Sequence, residues 1–549
     1  MSEAAVRRTV RLAGAGPFAL TLALVAGLTL LRIAVLFATP LELYPDEAQY
    51  WAWSRDLAFG YFSKPPMIAW LIRATTALGG DAEPWVRLSA PLLHAGAAIA
   101  LQRVGARLYD DWTGFLGAAL YSLMPGVQLS AGVVATDAPL LCFLSLTLLT
   151  YAEFLGAAGP RARLGWAAAL GAALGLAFLS KYAALYFVAG LAIHLALDGE
   201  PRRAWRPAPA LLAAGVFVAV IAPNLVWNAR HDFATLGHVM ANTDWTPPVD
   251  APRQPEPLIS FDLRQTPGFV ASQFAVFGPI PFAVLLGGTA VLARRRRLER
   301  PDKLLLAFIA PPLLLVLVQA IIARANANWA GAAYAPASVL VAAWLVRWRA
   351  RRWTEATLAL QATAAGLFLI VAASPTLADR LGFANSFKRA RGWAASTEAV
   401  LAQARATPGT TAIAMDDRFL FDAMSYYGRD QLARPGSAPL RMWRRRPWAN
   451  TQAEVAAPLR AGESGRVLVA SLEDVYLDEM RADFAHASPV QAVSIPLDSQ
   501  RRRKISLFVG QDLRPQPRDP ITGLPLRRSP APRLAGPPDG RTPGHPWRG

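Results

Sequence analysis

The run PFALTLALVAGLTLLRIAVLFA, residues 17–38, decides the fold class. It exceeds the roughly 20 residues that an apolar helix needs to cross a bilayer. Arg7, Arg8 and Arg11 precede it, so it could imitate a secretory signal. It is too long for the apolar part of such a signal and lacks a good cleavage site. We read it as the first of a series of membrane helices.

The rest of the chain repeats the pattern. Of 549 residues, 54% are hydrophobic and 17% charged, whereas a soluble protein carries about 25% charged residues. Further apolar runs lie at 85–108, 112–130, 137–157, 165–180, 182–198, 208–227, 268–293, 303–323, 330–347 and 354–374. These predict an α-helical polytopic membrane protein with about eleven spans. The region 165–198 reads either as two helices or as one broken segment. The shorter stretch 65–80 reads as a re-entrant or interfacial helix. The net charge of +18 comes from arginines between the apolar runs, which is a topology signal and not a nucleic-acid footprint. Cys142 is the single cysteine, so no internal disulfide and no cysteine-based metal site can form.

The arginines also give sidedness. Arg103 and Arg107, Arg161 and Arg163, Arg202 to Arg206, Arg294 to Arg300 and Arg347 to Arg352 fall in alternate gaps. With eleven spans they share one side with the N-terminus, the cytoplasmic side. The opposite side collects Tyr44-Pro45-Asp46-Glu47, Ser63-Lys64-Pro65-Pro66, Thr136-Asp137-Ala138-Pro139, Ser180-Lys181-Tyr182, the loop 228–265 and Asn326-Ala327-Asn328-Trp329. After residue 374 the chain changes character. Strand-like runs at 410–415, 466–470, 490–495 and 504–509, with helix-like runs at 417–427 and 472–484, predict a small α/β domain. The expected division is a transmembrane domain over 1–374 with a long first outer loop at 39–84, an outer α/β domain over 375–513, and a disordered tail over 514–549 rich in proline and arginine.

Several polar residues on the outer side could carry chemistry. Asp46 and Glu47 sit in the aromatic segment YPDEAQYWAW. They are either ordinary loop carboxylates or partly desolvated ones suited to take a proton. Lys64 precedes two prolines, and Lys181 lies between two apolar runs. Each either snorkels or binds a phosphate as a point charge. Asp137 either caps the helix that follows or joins Asp46 in one site. His231 and His238, with Asp232, offer a weak metal-site reading. Trp227, Trp245 and Trp329 fit an aromatic belt or sugar stacking. Asp110-Asp111 falls on the cytoplasmic side and lacks the setting of a nucleotide-sugar site.

Taken together, PDEA at 45–48, GYFSKPP at 60–66, TDAP at 136–139 and SKY at 180–182 resemble the type C membrane glycosyltransferases. The group they are most similar to is that of the protein O-mannosyltransferases and lipid A aminoarabinose transferases. PNLVWNARHDF and ANANWAGAAY extend the likeness, which covers roughly residues 30–345. The resemblance implies a polyprenyl-phosphate-linked sugar donor. It also implies transfer with inversion to lipid A, a cell-surface glycan or a protein, at the outer face of the cytoplasmic membrane. It implies catalytic roles for Asp46, Glu47 and Asp137, with Asp46 as general base. Lys64, Lys181 and Arg264 would hold the donor phosphate, and Tyr44, Tyr61, Asn328 and Trp329 would line the substrate. Ser63 stands where the aminoarabinose transferases carry an acidic residue, which weakens any carry-over of their sugar. No cofactor is assigned, and a divalent metal stays open. A transporter or flippase is the competing reading, but no internal repeat supports it. A lipid-headgroup scaffold is a third.

Overall fold

The structure, a computed structural model, describes residues 16–242, 265–323, 325–382, 384–460, 465–519 and 523–526. Each apolar run of the sequence folds as helix. Among the described residues, seven helices are long and apolar enough to cross a membrane, or eight if one bent pair counts as a single span. The other expected spans are helices too short or not apolar enough to qualify by themselves.

Two runs depart from single spans. The run 268–293 is two helices, Thr266–Phe277 and Pro279–Arg294, bent by 114°. The break is Gly278, whose φ of 104° only glycine adopts without strain, followed at once by a proline that cannot continue the earlier helix. The run 112–130 breaks before Pro125 into Asp111–Leu123 and Pro125–Gly132. The 165–198 region is two helices, Pro160–Ser180 and Leu185–Leu197, parted by an extended Lys181 and one short turn.

Tyr334–Arg347 is the innermost helix, with Ala335, Ala337, Ala342 and Ala343 all buried. Apolar burial alone drives no association in lipid, so small residues that allow close packing suit this position. The helix Pro207–Arg230 lies at the rim. Its Leu211 is 73% and its Val218 53% exposed, which is at home in acyl chains and not in water.

The arginine-rich gaps meet at one end. Arg347 pairs with Asp302 at 2.7 Å and Glu299 at 2.9 Å, and the Tyr109 hydroxyl donates to Asp302. Arg300 pairs with Glu200, and Arg107 with Glu153 at 3.5 Å. The alternate gaps of the sequence are therefore brought together on one side.

The C-terminal sheet has six strands: β1 (Thr410–Met415), β2 (Leu440–Met442), β3 (Arg466–Ser471), β4 (Phe484–Ala487), β5 (Gln491–Pro496) and β6 (Arg502–Leu513). The order is β2-β1-β3-β6-β4, and β5 shares the outer edge of β6 with β4. β1, β2 and β3 are parallel, and β6 is antiparallel to its neighbours. The sequence reading missed β2 and β4. Their three and four residues are too few for a period-2 signal. The helix expected at 472–484 is shorter, Leu477–Ala482, because β4 begins at Phe484. Residues 514–519, placed in the tail from sequence, carry defined contacts. Arg518 pairs with Asp483 at 2.9 Å, and the Gln516 amide donates to the same carboxylate. Residues 527–549 lie outside the described residues.

This sheet unit is seated on the loop after the first helix. The Tyr427 hydroxyl accepts from the Leu43 amide at 2.7 Å, Tyr426 donates to the Asp81 carbonyl, and Trp51 meets Tyr426 edge-on at 5.0 Å. The loop and the sheet unit thus share one side of the helical bundle, opposite the arginine-rich gaps.

Candidate active site

Pro45 opens the helix Pro45–Arg55, a position where its missing N–H costs nothing. Asp46 and Glu47 follow in its first turn, and successive helical residues point about 100° apart, so the pair divides. Glu47 turns inward. Its carboxylate takes two bonds from Arg87, at 2.9 and 2.7 Å, one from the Val134 amide at 2.8 Å and one from the Tyr44 amide at 2.9 Å. Both side chains of the pair are 3% exposed. Every lone pair is used, so Glu47 is a clamp with no capacity left for a substrate proton. The expected dry setting holds for Glu47. Asp46 instead is open, with its side chain 57% exposed.

The Lys64 loop is held from several directions. Asn224 donates to the Phe59 carbonyl at 2.7 Å. Gly60 lies so close to Trp227 that an added Cβ would stand 2.4 Å from the indole. The Tyr61 amide donates to the Lys64 carbonyl at 3.1 Å, closing the turn, and Thr235 donates to the Tyr61 carbonyl. The Tyr61 ring is stacked flat on Trp53 at 4.7 Å and is 4% exposed. Tyr61 therefore anchors the loop in the core and does not face a ligand, contrary to the substrate-lining expectation. Lys64 is half-buried. Burial and the neighbouring Lys181 push its ammonium below the ordinary lysine value, and Asp46 and Asp137 oppose that shift. Among the described residues, no acceptor takes a hydrogen bond or ion pair from its Nζ.

Asp137 starts the helix Asp137–Leu155 but is not its cap, and Thr136 makes no side-chain cap bond either. Its carboxylate pairs with Lys181 at 2.9 Å and receives Asn328 at 3.5 Å. Lys181 is thus committed to Asp137, whereas Lys64 has no counter-ion of its own among the described residues. Trp329 is half-buried against Phe269 and Ala330. The Tyr44 hydroxyl reaches the Ser386 carbonyl at 3.4 Å. His231 is exposed and stacks on Trp227 at 4.0 Å, while His238 lies against Phe62. Desolvation, and then the charges of Lys64 and Arg418, hold His238 down at about 4, so it is neutral. The two histidines serve different contacts. Arg264 and Trp245 lie outside the described residues.

Sequence reasoning missed Arg418 and Gln452, both from the sheet unit. Arg418 Nη1 stands 3.0 Å from Asp46 Oδ1 and 3.4 Å from the Gln49 amide oxygen. Gln452 Oε1 accepts from the Phe62 amide at 3.0 Å. Asp417 caps the Arg418–Tyr427 helix through the amides of Phe419 and Leu420. A cation in the first turn of a helix opposes the helix dipole, and Asp46 supplies the charge that offsets this. That misplaced cation was the one available signal in the sequence. Arg418 fixes one oxygen of Asp46, and among the described residues no donor meets Oδ2. The pair is exposed enough to contribute only about 0–1 kcal/mol to stability. We expect Arg418→Ala to keep its melting temperature while kcat falls roughly three- to tenfold, a loss of about 0.7–1.4 kcal/mol at the barrier. Arg418→Lys should recover part of it. An unchanged kcat would show that the contact is incidental.

Comparisons with known proteins follow this geometry. Residues 63–227 match the family described as dolichyl-phosphate-mannose-protein mannosyltransferase. The chain is 38% identical over 359 residues to the lipid A galacturonosyltransferase RgtD of Rhizobium johnstonii, which covers 64% of this chain and 71% of the relative. The crystal structure of ArnT from Cupriavidus metallidurans in the apo state superposes with a TM-score of 0.61 at 15% identity, over 89% of this chain and 97% of that one. The same protein bound to undecaprenyl phosphate gives 0.59 at 16% identity, over the same shares of the two chains. The resemblance read from PDEA, GYFSKPP, TDAP and SKY is therefore sound: the chain belongs to the type C membrane glycosyltransferases, in the family that includes RgtD.

Proposed function

We propose that this chain transfers a sugar from a polyprenyl-phosphate-linked donor to lipid A, with inversion, at the outer face of the cytoplasmic membrane. The observation that carries the reading is Lys64, a half-buried ammonium with no counter-ion of its own among the described residues, beside the exposed carboxylate of Asp46. Such a cation is poised for a phosphate, and RgtD is named for lipid A while ArnT was crystallised with undecaprenyl phosphate. The arginine-rich end of the bundle is the cytoplasmic end by the positive-inside bias, so the site opens outward.

The roles follow. Asp46, through its Oδ2, takes the proton of the acceptor hydroxyl as that oxygen attacks the anomeric carbon. The bond between the anomeric carbon and the phosphate oxygen breaks on the opposite face. The carrier phosphate leaves with the bonding pair, and Lys64 stabilises the charge that develops there. Lys181 and Asp137 form a neutral pair beside it, with Asn328 on the same carboxylate. Asp137 keeps Lys181 in place, and Glu47 holds Asp46 at the helix start.

The test is transfer by the purified protein in nanodiscs, with polyprenyl-phosphate-linked galacturonic acid as the first donor. The expected product is lipid A heavier by one sugar. Unchanged lipid A, both here and in a strain lacking the chain, would exclude that acceptor, and a glycan or protein carrying the missing sugar would replace it. Solute movement without any product would favour a transporter instead. Lys64→Met should raise the donor KM about tenfold or more, since a bond to a charged group is worth about 1.5–3 kcal/mol. The pH dependence has a definite sign. Lys64 binds phosphate only when protonated, and its value in the free protein lies below 10.5. The alkaline fall of kcat/KM therefore begins below the ordinary lysine range. The fall of kcat lies higher, because bound phosphate holds the proton on. Identical alkaline limbs in wild type and Lys64→Arg would remove Lys64 from the donor site.

A further inference from the structure

In open α/β sheets, ligands bind beyond the carboxyl ends of parallel strands, where the chain departs to opposite sides. Here β1 is flanked by β2 on one side and β3 on the other, both parallel to it. The chain leaves β1 at Asp416 and β2 at Trp443, and at that edge a cavity of about 130 Å³ opens. Asp416, Trp443, Arg445, Asn450, Glu454 and Tyr476 line it. A closed cavity of about 150 Å³ takes a benzene ring, so this one, which is open to solvent, admits one face or edge of a sugar ring and leaves the rest outside.

The lining says what kind of ring. Asp416 Oδ2 receives the Ser471 hydroxyl at 2.7 Å, but its Oδ1 is buried and meets no donor among the described residues. Burial pushes this carboxyl up to about 6 and raises Glu454 as well. An unsatisfied buried oxygen is unfavourable by about 1–3 kcal/mol, and a hydroxyl would relieve it. Arg445 is committed to Glu479 by two bonds of 2.9 Å and lies over the Tyr476 ring. Arg446 also faces the cavity; with Arg445 tied to Glu479, it stands against two acids, Asp416 and Glu454. That balance does not favour a phosphate. What remains is an aromatic wall with alternating donors and acceptors, which suits a neutral polyol.

The cavity is joined through short stretches of chain to the contacts at Asp46 and the Lys64 loop. Gln452, between the lining residues Asn450 and Glu454, receives the Phe62 amide, and Arg418, two residues beyond Asp416, pairs with Asp46. The donor sugar has its place at Asp46 and Lys64, so a second ring here belongs to the other substrate.

We propose that this cavity is a subsite for a neutral sugar ring of the acceptor. Its assignment to the acceptor rests on the transferase reading above; its affinity for a sugar does not. The test has two arms on the full-length protein in nanodiscs. In the first, saturation-transfer NMR is recorded with methyl glucoside, methyl galactoside and methyl N-acetylglucosaminide. At least one should give signals that vanish in Asn450→Ala and Tyr476→Ala, persist in Asp46→Asn and resist inorganic phosphate. No signal from any glycoside, signals equal in the cavity variants, or displacement by phosphate would each overturn the proposal. This arm needs no turnover, so it still reads the cavity if the transferase reading fails. In the second, Asn450→Ala should raise the acceptor KM about fivefold, the effect of one lost hydrogen bond, with kcat and donor KM unchanged. A rise in donor KM instead would place the ring on the donor side and overturn the assignment. Asn450 lies in an exposed turn, so its variant stays informative if Tyr476→Ala does not fold.

Discussion

Asp46→Asn leaves a folded protein that transfers almost no sugar. General-base catalysis contributes about 10²–10⁴-fold, and kcat should fall by that order while donor and acceptor KM move little. The expectation that folding survives is also physical. The Asp46 side chain is 57% exposed, and its pairing with Arg418 is of the surface kind. Asparagine keeps the shape and one acceptor oxygen for Arg418 but cannot take a proton. A comparison of single-turnover rates and melting temperatures in the same detergent checks both halves. Wild-type rates in Asp46→Asn would remove Asp46 as the base.

Glu47→Ala should do the reverse, striking the fold first. The Glu47–Arg87 pair is almost fully buried and its carboxylate is saturated by four donors. Removing one partner of a buried pair strands the other charge and destabilises by about 3–5 kcal/mol. Arg87 also donates to the carbonyls of Leu41 and Glu42, so the loss loosens the entry to the Pro45–Arg55 helix. The expected readout is a fall in melting temperature and in folded yield, with Arg87→Ala behaving alike. If Glu47→Ala keeps the wild-type melting temperature and loses only kcat, Glu47 belongs to the chemistry after all.

These two neighbours show where sequence reading succeeds and where it stops. The membrane class was legible because each apolar run is a local property of the chain. The grouping of the arginine gaps was legible too, since charge bias is counted along the sequence, and Arg347, Asp302 and Tyr109 do meet. Asp46, Lys64, Asp137 and Lys181 could be singled out because each sits in a short motif. Their division of labour could not. Whether a carboxylate is clamped or open depends on Arg87 and Arg418, which lie 40 and 372 residues away. Tyr61 carries an aromatic signal identical to that of a sugar platform, and only its stacking on Trp53 shows that it faces inward. The bend at Gly278 was readable from Gly-Pro-Ile-Pro in principle, but hydropathy averaged across it.

Arg418 and Gln452 have a consequence for how the protein is made. Asp46 and Phe62 leave the ribosome early, within the first loop, whereas their partners Arg418 and Gln452 follow after all the long apolar helices among the described residues. The reaction centre therefore stays unfinished throughout insertion. It is completed only when the C-terminal sheet unit has been made and has docked on a loop made hundreds of residues before it. Biosynthesis thus delays completion of the site until the sheet unit has been made.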